Sequence, residues 1–597
     1  MNATHSVAER TSDGAPASIG AHRPPHAGRR GVQVLAVAAA LALTGPPARS
    51  AHAPPLTGRD GAVAADDAVA SAVGAAVLAD GGNAVDAAIA TVLALGVVNP
   101  TSSGLGGGGF AVVFDAATGE RHAFDFREVA PAALDPGDFL RAGVLDPMLA
   151  RQGGLAVGVP GEPAGLALLS RRFGRLSWRR LVAPSMRLAR DGVPTSWFLA
   201  RAAAAVLPNL PDQAPYQPLR ELLTVDGAPR TWGAPLVRPA LARTLAALAA
   251  DPDALTRGPI AADLVATARA AGGVLTVDDL AAYQVVERPP LVGRFRGREL
   301  VTMPIPSSGG VVLLEALALI ERSGIDLAAL GFGSAAALHV VVEAAKHGFA
   351  DRARALGDSA AGRDAAAAML DPARLAALAP TLRVERAQPS DRYGAAALGE
   401  RPRGPGGTSH VCVIDRDGNA VALTTTVNGY FGAKLVTPSG VVLNNQIDDF
   451  ALAAGASNMY GLQQGQDNLV TAGRRPLSSM TPVLVLEDGR VVDCVGGSGG
   501  PRIISNVLQV VLDLLVFDVD PRVAVEAPRV HHQWQPDTLV VDRDLAPDVW
   551  AALAARGHAI VVSDSPTAVQ AIRRRPDGTF EAASDPRKNG APAMPAR

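Results

Sequence analysis

Cysteine, aromatic residues and long apolar runs are all scarce in this chain, and each scarcity closes off a class of protein. With only Cys412 and Cys494 in 597 residues, there is no disulfide framework and no CxxC pair for zinc or redox chemistry. Both cysteines sit in apolar, strand-like runs and read as buried, unreactive thiols. Spacing alone leaves open whether they pair in an oxidising compartment. Aromatics make up 4% of the chain, so alanine, valine and leucine must fill the interior. Beyond the amino-terminal segment no window reaches about 20 uncharged apolar residues, which argues against a membrane span in the mature chain. Charge of either sign is in no excess: 55 Lys+Arg against 57 Asp+Glu give a net −2, so the bulk charge points to neither nucleic acid nor an anionic membrane. HExxH and P-loop strings are missing. What is present, 48% hydrophobic and 19% charged residues, is a globular balance in a chain long enough for several domains or one large multilayer domain. A small-molecule partner is the expectation.

The amino terminus differs from the rest. Arg29 and Arg30 lead into VQVLAVAAALALT and then into ARSAHA, ending at Ala53. That order of basic, apolar and small residues reads as a secretory signal over residues 1–53 and predicts a periplasmic or secreted protein.

From Val63 to about Val98 alanine-rich periodicity predicts helices, broken at ADGGNAVDAA, where Gly81 and Gly82 end one helix and Asn83 starts the next. FAVVFDAATGERHAFDF, ending at Arg127, reads as a β-hairpin. Residues 160–400 read as mostly helical. Around 385–407 the chain turns polar and Gly/Pro-rich, as an exposed linker does. TSHVCVIDRDGNAVALTTTV and TPVLVLEDGRVVDCVGG then read as hairpins about DG turns, and PRIISNVLQVVLDLLVF as a helix with proline at its start. Together these predict α/β layers with sheets sandwiched between helices.

Two motifs invite chemistry that their context denies. Gly104, Gly106 and Gly109 spell GxGxxG, yet a helix precedes them and a strand follows, the reverse of a dinucleotide site. They read as close backbone packing. His531 and His532 are adjacent, so on a strand they face opposite ways, and no acidic or thiol partner stands at ligand spacing. No metal and no cofactor is expected.

GPGG followed by Thr408 and a strand is different. An uncrowded carbonyl at Gly407 beside a hydroxyl on a rigid strand is what self-cleavage requires. The product carries a free α-amine, whose pKa of roughly 8 lets it serve as base for the hydroxyl of the same residue.

Read along the chain, GGNAVDAAIA, GLGGGGF, FDFREVAP, GVPGEPAGL, PIPSSGG, EAAKHGFADRARALGD, GGTSHVCVIDRDGNAVALTTTVN, GVVLNNQIDDF, NMYGL, RRPLSSMTP, GGSGGPRII and APRVHHQW resemble, in order, the γ-glutamyltranspeptidase family of N-terminal-nucleophile hydrolases. The resemblance covers nearly the whole mature chain. It implies an αββα sandwich cut into a large subunit (54–407) and a small catalytic subunit (408–597) that stay together as a heterodimer. It implies transfer of the γ-glutamyl group of glutathione and related compounds to water or to an amino-acid or peptide acceptor. By the same resemblance Thr408 is the nucleophile, Thr426 holds it, and Gly499 and Gly500 form the oxyanion hole. Arg127, Ser478 and Ser479 are expected to bind the substrate α-carboxylate, with Asn428, Gln446 and Asp449 on its α-ammonium. Tyr460 belongs to a lid-like stretch from Ala451 to Leu462. A cephalosporin or glutaryl acylase of the same fold is the alternative reading, and Gln446 and Asp449 argue against it, because substrates of that kind bring no cation to meet them.

Overall fold

The alternation in TSHVCVID sets the layers of the molecule. In the computed structural model, which describes residues 54–394, 406–564 and 567–596, that segment lies in one of eight strands that organise two antiparallel sheets. In chain order these are β1 (Gly61–Ala65), β2 (Gly108–Asp115), β3 (Glu120–Phe126), β4 (Gly406–Asp415), β5 (Ala420–Gly429), β6 (Val483–Glu487), β7 (Arg490–Ser498) and β8 (Ala568–Arg574). The six-stranded sheet runs Val286–Arg288, β3, β2, β5, β4, β1. The seven-stranded sheet runs Leu56–Gly58, Phe580–Ser584, β8, β7, β6, Arg298–Thr302, Leu291–Phe295.

Because strand side chains alternate, β4 points Val411 and Val413 one way and Cys412 and Ile414 the other. The valines join Val113, Leu423 and the apolar face of helix α2 (Ala84–Val98). Cys412 and Ile414 meet Leu484, Leu486 and Cys494 of the opposite sheet. On that sheet's far side Val483, Val485 and Val495 pack against α3 (Gly309–Ser323) and α5 (Arg502–Leu515), with α4 (Ala335–Ala355) against α3. The order is helix, sheet, sheet, helix, as expected. At about 1.5–3 kcal/mol per fully buried Val or Leu, these three apolar seams hold the sheets in fixed register. Both cysteines are free and buried in the middle seam.

Helix α1 (Ala68–Ala79) starts at Asp67, whose carboxylate accepts from Val69 N. α2 starts at Asn83, which forms a reciprocal capping box with Asp86. The break between them falls where Gly81 and Gly82 put it. α2 is buried almost all round and its carboxyl end delivers Asn99–Ser103 to the start of β4.

Two expectations fail. GAVAA at Gly61–Ala65 is β1, fully buried and paired with β4, rather than the start of a helix. A five-residue alanine-valine run buried on both faces carries no period by which strand and helix differ. Inside the segment read as helical, Val286–Arg288, Leu291–Phe295 and Arg298–Thr302 are strands that finish one edge of each sheet. Residues 1–53 of the expected signal and 395–405 of the expected linker lie outside the described residues. Among the described residues no helix is long and apolar enough to cross a membrane.

Candidate active site

Thr408 sits at the third position of β4, directly opposite Thr426 of β5, and the register slips by one residue between Gly407 and Thr408. The slip brings both hydroxyls to one point. Thr408 Oγ1 and Thr426 Oγ1 are 2.9 Å apart, Thr426 Oγ1 donates to Gly407 O at 2.8 Å, and Asn428 N donates to Thr426 Oγ1 at 2.9 Å. Proton accounting fixes the direction of the first contact. Thr426 has one hydroxyl proton and spends it on the Gly407 carbonyl, so Thr408 donates to Thr426. The Thr408 hydroxyl oxygen is thus drawn toward the carbonyl that the same bridge polarises.

Gly406 and Gly407 are where they are because no side chain fits. A Cβ on Gly407 would stand 2.4 Å from Gly429 O, and one on Gly406 would stand 2.8 Å from Gly500 N. The second clash locates the turn Gly499–Gly500, between β7 and α5, against the segment that leads into Thr408. Both glycines have positive φ, +133° and +63°, which aims successive amides in directions that an L-residue seldom allows. With α5 beginning at Arg502, those amides lie at a helix start, where partial positive charge gathers.

Behind Thr408 lies a fully buried cluster that the sequence did not reveal. Lys588 Nζ donates to Thr408 O and to Ser498 Oγ, each at 3.0 Å, and stands 3.7 Å from Asp66 Oδ2. Asp66 also accepts from Ser498 Oγ and from Gln570 Nε2, both at 2.7 Å. Burial pushes the Asp66 carboxyl up and the Lys588 ammonium down, each partly offset by the other.

A second cluster is built on Arg127, Asp449 and Gln446, with the other expected residues bonded to groups outside it. Arg127, just past β3, donates from Nη2 to Asp449 Oδ2 at 2.6 Å and from Nε to Pro476 O at 3.2 Å. Asp449 also accepts from Gln446 Nε2 at 2.7 Å and from Asn458 Nδ2 at 3.2 Å. Asn458 was not foreseen. Ser478 follows Pro476 by two residues. Its Oγ accepts from Met480 N, and its carbonyl accepts from the Ser308 amide and hydroxyl. Ser479 is only partly buried, and its carbonyl accepts from Thr481 Oγ1. Asn428 has φ +73° and gives its Nδ2 to Asn445 O, while Tyr460 OH donates to Asn428 at 2.9 Å. The Tyr460 ring in turn covers Gly500, so one side chain joins the two clusters. Next to Arg127, whose Nη1 is 3.9 Å away, Glu128 is fully buried with neither carboxylate oxygen hydrogen-bonded, and burial raises its pKa to about 8 despite Arg127. Asp448, pushed up to about 7 by burial, pairs with Arg151 at 2.9 Å.

The glycines of GxGxxG pack as expected. Gly106 and Gly109 leave no room for a Cβ beside the carbonyls of Val442 and Thr424, as does the intervening Gly107 beside Thr426, whereas Gly104 has room for one and is set apart by its φ of +145°. His531 and His532 are structural too, bonded to Ser505 and Gln533, and to Asp537 and Trp534 N, respectively.

Residues 70–594 match the family described as gamma-glutamyltranspeptidase. The chain belongs to the γ-glutamyltranspeptidase family. It is 38% identical over 534 residues to the glutathione hydrolase proenzyme of Escherichia coli, covering 88% of this chain and 90% of that protein. Among solved structures, a cephalosporin acylase from Bacillus halodurans superimposes with a TM-score of 0.79 at 26% identity, over 92% of this chain and 98% of the other. A γ-glutamyltranspeptidase chain from Helicobacter pylori gives 0.51 at 32% identity, over 54% and 92%. The αββα sandwich of N-terminal-nucleophile hydrolases is therefore the fold of this γ-glutamyltranspeptidase family member.

Proposed function

We propose that this protein is a glutathione hydrolase and γ-glutamyltransferase that matures by cutting itself between Gly407 and Thr408. The observation that carries the reading is the single hydroxyl of Thr426, bonded to both the Thr408 hydroxyl and the Gly407 carbonyl. In maturation Thr408 Oγ1 attacks the Gly407 carbonyl carbon, the peptide nitrogen leaves with a proton, and water opens the resulting ester. Gly407 then ends the large subunit (54–407), Thr408 begins the small one (408–597), and the two remain a heterodimer through the shared sheets. Residues 1–53 serve as the secretory signal of a periplasmic or secreted enzyme.

In turnover the free α-amine of Thr408 takes the proton of its own hydroxyl, which attacks the γ-carbonyl of the donor. Charge developing on the carbonyl oxygen is met by the amides of the Gly499–Gly500 turn. The donor amine departs with the proton, and water or an amino acid or peptide then takes the acyl group from Thr408.

The paired Arg127 and Asp449 support a donor with both charges on one carbon. A γ-glutamyl α-carbon exchanges partners with that pair, its carboxylate going to Arg127, Ser478 and Ser479 and its ammonium to Asp449, Gln446 and Asn428. Tyr460 closes the site from the Ala451–Leu462 side. The structural likeness to a cephalosporin acylase raises a second reading, acylase activity on side chains without an amine, which would bring Asp449 no substrate ammonium. Comparing γ-glutamyl with glutaryl p-nitroanilide separates the two. The glutamyl compound is expected to be cleaved with the higher kcat/KM, and a preference for the glutaryl compound would overturn the proposal.

A further inference from the structure

Helix α4 carries two arginines in ADRARALGD, and the fold gives them opposite surroundings. Two positions apart on a helix, they cannot share a face. Arg354 is exposed and pairs with Asp351 of the same helix. Arg352 turns inward and is 1% exposed. Its Nε donates to Ser308 Oγ at 3.0 Å, and its Nη1 is buried with no hydrogen-bond partner in the protein. Among the described residues no carboxylate stands within ion-pair distance of it.

The charges that Arg352 does feel belong to the site already described. Asp449 favours its ionised form and Arg127 opposes it. Burial lowers the guanidinium to about 10, so it stays charged at neutral pH. The neighbouring arginines have acids of their own, Asp449 on Arg127 at 2.6 Å and Asp448 on Arg151 at 2.9 Å. Arg352 has none. A buried charge without a counter-ion is costly, and nothing in the fold recovers that cost, whereas an anion entering beside Arg127 would.

A relay of bonds carries Arg352 to the same place. Ser308 stands at the head of α3, yet its side chain does not cap that helix. Its one hydroxyl proton goes to Ser478 O at 2.6 Å, so its lone pair receives Arg352 Nε. The Ser308 amide donates to the same carbonyl at 2.9 Å. Ser478 is thereby fixed through its backbone, and since its Oγ accepts from Met480 N, its own hydroxyl proton is left to donate.

We propose that Arg352 is the positioning residue that makes this pocket select an anion: through Ser308 it fixes Ser478, and it supplies the positive charge that a donor's α-carboxylate neutralises. The inference rests on the γ-glutamyl donor proposed above and says where the selecting charge resides. Arg127 reaches the substrate already paired with Asp449, so the pair by itself is neutral and favours carboxylate and carboxamide far less unequally. The charge that separates them comes from α4, a helix that carries none of the residues expected to touch the donor.

The test is a ratio that a general loss of activity does not move. γ-Glutamyl p-nitroanilide is compared with its α-carboxamide analogue, which keeps the ammonium and the scissile anilide but has no anion. The wild-type enzyme should prefer the acid by at least tenfold in kcat/KM. Arg352→Gln should cut that preference by roughly tenfold, mainly by raising KM for the acid. Arg352→Lys keeps the charge and should retain most of the preference. Arg352→Gln should also mature into two subunits and melt no lower than the wild type, since it removes a charge that the fold does not compensate. A wild-type ratio near one overturns the proposal, and so does an Arg352→Gln enzyme with the wild-type ratio. Equal losses of the ratio in the Gln and Lys variants would assign the effect to shape instead of charge. An Arg352→Gln chain that stays uncut or melts several degrees lower would make Arg352 a brace of the fold. If the wild-type enzyme leaves the anilide intact, the proposed function itself fails, whereas cleavage of the anilide with a ratio that ignores Arg352 defeats this inference alone.

Discussion

Donor specificity is proposed to turn on Asp449, which holds Arg127 at 2.6 Å and is the acidic group placed to meet a substrate ammonium in that proposal. Asp449→Asn keeps size and some hydrogen bonding while removing the charge. A charge-assisted bond contributes about 1.5–3 kcal/mol, so γ-glutamyl p-nitroanilide should lose roughly tenfold to a hundredfold in kcat/KM. The glutaryl anilide should hold or improve, since Arg127 then competes for its carboxylate with no internal anion. Equal losses on both substrates would make Asp449 a structural brace instead. Glu128 makes a different prediction, about stability. Its folded pKa of about 8 lies above the ordinary 4.5 because of burial, so the folded state keeps a proton that the unfolded state releases. Stability from this group therefore falls as pH rises from 4.5 to 8, by at most about 1.4 kcal/mol per unit, and is flat above. Glu128→Gln should melt with the wild type near pH 4.5 and several degrees above it at pH 9. A difference that does not grow with pH would mean that Glu128 stays ionised in the fold.

At the scale of elements, the turn joining β7 to α5 bears the strictest requirement. Gly500 combines φ +63° with the Tyr460 ring 2.9 Å from where a Cβ would stand. Gly500→Ala should displace either the oxyanion amides or Tyr460. We expect kcat for the anilide to fall at least tenfold, on the scale of about 10²–10³ for losing one oxyanion donor, with KM changed less. A variant with wild-type kcat would remove this turn from the oxyanion hole. Hairpins were legible at this scale because their alternation is local: β4–β5 and β6–β7 lie where TSHVCVID and TPVLVLED put them. β1 was misread because GAVAA gives no period, and its identity comes only from pairing with β4 some 350 residues later in the chain. That Thr408 lies beside Thr426 and Arg127 beside Asp449 agrees with what the ordered motifs led us to expect of their placement. Asn458, the first residue of the recognised NMYGL, was within reach of the same reading and was passed over.

For the whole molecule, the groups that no motif announced are those joined only by closure of the fold. Lys588 reaches Thr408 O across 180 residues and Asp66 across 522, and nothing in SDPRKNG or VAADDA suggests that the two chain ends meet behind the nucleophile. The same closure lets a nick at residue 407 leave the molecule intact, because both sheets contain strands from before and after it. All of this depends on one chemical event at Thr408. Intact mass and amino-terminal sequencing of the purified protein, beside the same measurements on Thr408→Ala, test it most directly. The account predicts two subunits in the wild type, the smaller beginning Thr408-Ser409-His410, and a single uncut chain in the variant. A wild type that stays whole, a small subunit beginning elsewhere, or a Thr408→Ala protein still cut after Gly407 would contradict it.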